Sequence, residues 1–167
     1  MSQSVTGNVK VTGAATETVT DGIGSGSIAE SLAATLTFNN GTGSGNINLH
    51  YSEDTTLVST TATRTLSALT DGLGRTVAFT KVRYIIIVNL ETTDGHDLII
   101  GAAALHAWGA PVNSVSGGEI VIKAGGCLVL AAPLATALAV TSGTSDQLKL
   151  DSGANTVHYQ MLIGGEA

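Results

Sequence analysis

The plainest pattern along this chain is alternation of apolar and polar residues, interrupted at short intervals by glycine-rich turns. Val157, Tyr159, Met161 and Ile163 point one way and His158, Gln160 and Leu162 the other, the period of two that a half-buried strand requires. Gln147 to Leu150 forms a shorter strand before it, with Asp151-Ser152-Gly153-Ala154-Asn155 as the turn between. A chain whose core strand runs almost to its final residue is expected to be self-contained. Upstream, Ile28, Leu32, Ala34, Leu36 and Phe38 share one face with Glu30, and the Asn39–Gly45 cluster reads as a turn. Ile47, Leu49 and Tyr51 then alternate with Asn46, Asn48 and His50, which predicts a hairpin with the strand before.

The middle continues in the same manner. Leu57 to Leu69 is threonine-rich and ambiguous, and Thr70-Asp71-Gly72-Leu73-Gly74 is a turn. Lys81 to Glu91 is the strongest strand, and its centre, Tyr84 to Val88, is apolar on both faces, so it is expected to be central and covered from both sides. Asp94-Gly95 signals a hairpin that returns through Leu98 to Gly101. Glu119 to Lys123, Gly126 to Ala132 and Leu138 to Val140 complete the set, and Pro111 and Pro133 fall at loop or strand-end positions. About eight to ten strands with turns every 8–12 residues predict an all-β fold. It is expected to be a single-domain antiparallel β-sandwich, a jelly roll, over residues 28–167. Residues 1–27, rich in Thr, Gly and Ser with Val5, Val9 and Val11 at strand spacing, read as an extended N-terminal arm or as a frayed terminus with one edge strand.

Composition changes the picture in one respect. The 167 residues are 43% apolar but only 12% charged and 4% aromatic, against about 25% charge in an ordinary domain. A surface made of Ser, Thr, Asn, Gly and Ala loses little on desolvation, which suits a protein that lies against other protein. Seven basic residues, scattered from Lys10 to Lys149, against thirteen acidic ones give a net charge of −6. Without clustered cations neither nucleic acid nor an anionic membrane is expected as a partner. No signal peptide is visible at Met1-Ser2-Gln3-Ser4, and no apolar run reaches a membrane span. Cys127, the lone cysteine, sits in Gly126-Cys127-Leu128-Val129-Leu130 and is expected to be a buried small hydrophobe.

Reactive chemistry is sparse. His50, His96, His106 and His158 show no metal-ligand spacing, and Asp94-Gly95-His96-Asp97 offers too few oxygens for a cation loop. No nucleophile elbow or phosphate-binding loop occurs, so no catalytic, cofactor-binding or metal residue is assigned and no enzyme activity is expected. Trp108, the single tryptophan, fits a core cap or an interface anchor, with the core as the default.

Thr70-Asp71-Gly72-Leu73-Gly74-Arg75-Thr76-Val77-Ala78-Phe79, Val82 to Leu90, Gly143 to Leu150 and Val157 to Gly164 resemble small virion structural proteins of tailed bacteriophages. The likeness runs through most of residues 45–165, has no counterpart in the N-terminal segment, and is strongest to jelly-roll capsid cement, or decoration, proteins. It implies a homo-oligomer, dimer or trimer, bound to the major capsid protein on the virion exterior and assembled in the host cytoplasm. A tail-fibre or spike module holding host polysaccharide is the other expectation, although sugar platforms stack on exposed aromatics, which are few here.

Overall fold

A computed structural model describes residues 4–20, 25–101, 103–110 and 118–167. The first three residues and residues 21–24 of the expected arm, and Pro111, lie outside the described residues. These contain strands and turns but no helix. A ribbon comes first, β1 (Gly7–Thr20) and β2 (Ser25–Asn40), then the two-residue β3 (Asn46–Ile47), β4 (Leu49–Val58) and β5 (Thr61–Thr65). A short pair, β6 (Leu69–Thr70) and β7 (Thr76–Val77), leads into β8 (Lys81–Asn89), β9 (Leu98–Gly101), β10 (Glu119–Ile122) and β11 (Cys127–Ala131). The two-residue β12 (Leu138–Ala139), β13 (Gln147–Asp151) and β14 (Thr156–Glu166) follow.

Two antiparallel sheets make the body. One has the order β11-β8-β14-β4, with β12 also on β8, and the other the order β10-β9-β13-β5. Their inner faces share one core, in which Leu66, Ile87, Leu98, Leu150, Val157 and Ile163 are all fully out of water. Each such side chain contributes about 1.5–3 kcal/mol by leaving water. Sandwich-like all-β architecture is thus as the alternation predicts. The expected central strand is interior, between β11 and β14.

Successive body strands mostly change sheet: among the described strands of these two sheets, only β9 and β10 are neighbours both in sequence and in hydrogen bonding, and the short β6–β7 pair stands apart from both. This overturns two predicted hairpins. The Asp94–Gly95 turn carries the chain from β8 in one sheet to β9 in the other, because the buried Asn89 ties that corner together. Its amide donates to the carbonyls of His96 (2.8 Å) and Ile122 (3.1 Å), and its Oδ1 accepts from Glu91 N (3.1 Å). The Asn39–Gly45 cluster likewise closes no antiparallel hairpin: β2 pairs with β1 along its whole length, β3 lies parallel to the end of β2, and β4 pairs with β14. The expected arm and the first expected body strand therefore form one ribbon.

The period of two also breaks inside β8. Gly164 pairs with Tyr84 and Gly165 with Val82, leaving Arg83 as the extra residue of a bulge. Val82 and Ile85 consequently both face the sandwich core, while Tyr84 and Ile86 face outward. Tyr84 packs over Gly164, where a Cβ would stand 2.3 Å from the tyrosine ring, so only glycine fits.

Candidate interaction surface

The ribbon is joined to the body by a second, smaller core. Val5, Val9, Phe38 and Ile47 pack on Tyr84 with Leu36, Ile86 and Val129 at its margin, and the Phe38 and Tyr84 rings lie 5.3 Å apart. Tyr84, Ile86 and Val129 belong to the outer face of the β11-β8-β14-β4 sheet, so the ribbon's base covers one end of that face. A buried ion pair fixes it there. Arg83 donates to Glu166, to the Leu134 carbonyl and to the Gly43 carbonyl (2.8 Å), and Gly43 N donates to Glu166 Oε1 (2.8 Å). Burial alone would push the Glu166 carboxyl up, but Arg83 and the Gly43 amide outweigh it and hold it below the usual range.

Beyond this base the ribbon stands clear of the body. Lys10–Thr18 and Ser27–Thr35 are exposed on both faces, a projection of about 30 Å at strand rise. The two faces differ. One carries Val11, Leu32 and Ile28, which are 43%, 72% and 65% exposed, with Gly13, Ala15 and Ala34 between them and Glu17 and Glu30 toward the tip. The other carries Lys10, Thr12, Thr16 and Thr35 among small residues. The apolar face continues the row of Val9 and Leu36 that the base already buries.

The rest of the sheet's outer face is open. Ile86, Val88 and Leu162 line a shallow depression of about 300 Å³ with Ser52, Asp54 and Gln160 at its rim. Leu162 also borders a second hollow of about 440 Å³, between the N-terminal residues, His50 and Tyr84. The two hollows meet at Leu162, beside the ribbon base. Asp54 is held below its usual range by the Gln160 amide (2.8 Å) and His158 Nε2 (2.6 Å). Cys127 is exposed, not buried as expected, because it lies on the outward side of the edge strand β11, opposite Val88.

The densest polar cluster is structural. Glu53 accepts from Arg64 Nε (2.7 Å), Tyr51 (2.9 Å) and Tyr159 (2.8 Å), bridging the edge strands β4 and β5 of the two sheets. Burial alone would raise its pKa, but these donors, Arg64 foremost, lower it. Burial and the adjacent carboxylate push the Tyr51 hydroxyl up to about 12 and Tyr159 higher still. With both oxygens occupied, Glu53 has little left to offer a substrate. Trp108 is a core residue, 2% exposed, with its Nε1 donating to the Ala139 carbonyl at 2.8 Å. His96 Nδ1 meets the Thr156 carbonyl at 2.8 Å, and His50 stands exposed at the groove. Among the described residues no three His, Cys, Asp or Glu side chains gather to hold a metal ion.

Comparison with protein-family models, curated proteins and solved structures finds no match to this chain.

Proposed function

We propose that this protein is a non-enzymatic structural subunit of a tailed-bacteriophage virion, binding the outer capsid surface as a cement protein that bridges capsomers. The observation that carries this reading is the ribbon: a strand pair with one exposed, largely apolar face, tied at its base to the sandwich by the buried Arg83–Glu166 pair. An isolated two-stranded ribbon is marginal in water and gains its stability by lying on another surface. The weakly charged surface and the resemblance of residues 45–165 to virion proteins support the same reading. So does the strand order, β4, β14, β8, β11 against β5, β13, β9, β10, which we read as a jelly roll wound from two Greek keys. Repeated over a symmetric shell, modest contacts per copy sum to large avidity.

Co-sedimentation with undecorated, expanded capsids of its phage tests this. Saturable binding at a fixed ratio to the major capsid protein, with a raised temperature of DNA release, is expected. Absence of binding to such shells overturns the cement assignment.

A further inference from the structure

We propose that two copies of this chain exchange their ribbons, each laying the apolar face of β1–β2 along the outer-sheet groove of the other. Three observations point there. The molecule already shows what this ribbon face binds, since its first rung, Val9 opposite Leu36, packs on the outer sheet face at Tyr84, Ile86 and Val129. The next rungs, Val11 opposite Ala34 and Gly13 opposite Leu32, have the same apolar character but project beyond the chain's own sheet. That sheet in turn keeps an open strip of the same chemistry, Val88 and Leu162, next to the part-covered Ile86. One chain thus carries both an unfilled ribbon face and an unfilled groove, and a two-fold exchange fills both with one self-complementary contact.

The areas agree. A ribbon face about 30 Å long and 10 Å wide, with Glu17 and Glu30 on its outer rungs, covers at most roughly 300 Å², so two reciprocal contacts remove up to about 1,200 Å² from water. Stable, specific interfaces begin at about that size. The polar side of each ribbon, with Lys10, Thr12 and Thr16, stays in solvent.

This inference rests on the ribbon being a protein-binding device, but not on the shell. Association is measured without capsids, so failure to dimerise and failure to bind shells are separate results. Sedimentation velocity of the full chain at tens of micromolar is expected to give a dimer. An Ile28→Lys/Leu32→Lys chain and a Leu162→Lys chain should each sediment as monomers, their circular dichroism unchanged. Ala33→Lys, on the ribbon's other face, should leave the dimer intact. Mixing the two monomeric variants should restore weak association, because the ribbon of the Leu162→Lys chain meets an intact groove on the other. A monomeric parent chain, or a dimer indifferent to Leu162→Lys, overturns the proposal. So does a mixture that stays monomeric while either variant alone pairs with the parent chain.

Discussion

Arg83 shows how much one side chain can organise. It is fully buried, yet its donors reach Glu166, the loop after β2 and the loop after β11, so one guanidinium sets where the ribbon leaves the body. Removing one member of a buried pair strands the other without compensation, at a cost of about 3–5 kcal/mol. Arg83→Met is expected to lower the urea midpoint by that equivalent, and Arg83→Met/Glu166→Leu to recover most of it. A double variant no more stable than the single one would mean the pair is not the unit. Little of this was legible beforehand. A charged residue in the most apolar strand was visible, and so was Gly164-Gly165, but only the bulge pairing the two explains why an arginine is buried there.

At the scale of elements, alternation located strands well and partners poorly. Val157 to Ile163 face the core in the order the sequence predicts, and Ile28 to Phe38 share the face they were assigned. The turn signals at Asn39–Gly45 and Asp94–Gly95 are real, but turn chemistry states that the chain reverses, not onto which sheet. Here the reversal lies between layers, and buried groups far apart in sequence decide it. The ribbon was hidden for a different reason: the residues that pair it, Gly7 to Thr20, look like a weak terminal strand because their partner face is exposed. That exposure yields a direct expectation. Replacing residues 12–33 with an Asn-Gly turn keeps Val5, Val9, Leu36 and Phe38 on Tyr84, so thermal stability should fall by less than about 1 kcal/mol, roughly 2–4 °C. Self-association and shell binding should both be lost. A collapse of thermal stability would instead assign the ribbon to the folding core.

For the molecule as a whole, pH reports on its closure. The carboxyls of Glu53, Glu166 and Asp146 all sit below their ordinary values in the fold. The native state therefore binds fewer protons than the unfolded chain in the acid range. Stability from these groups is fully present above the ordinary carboxylate range, near 4.5 for Glu, and is lost as pH falls through the lower folded values. Urea midpoints measured from neutral to acid pH should stay level and then drop below that point. Glu53→Gln should start lower at neutral pH, and its deficit should shrink on acidification as the parent carboxylate takes up its proton. An acid limb parallel to the parent's would show that the Arg64 tie contributes nothing.

The position of β14 has a consequence for synthesis. It is the last of the body strands to leave the ribosome, yet it fills an interior slot between β8 and β4, and it brings Glu166 to Arg83. Until those residues emerge, the sheet is split, a cation waits without its counter-ion, and the ribbon has no fixed bearing. A chain from which β14 has not yet emerged thus holds its ribbon without the Arg83–Glu166 tie at the base.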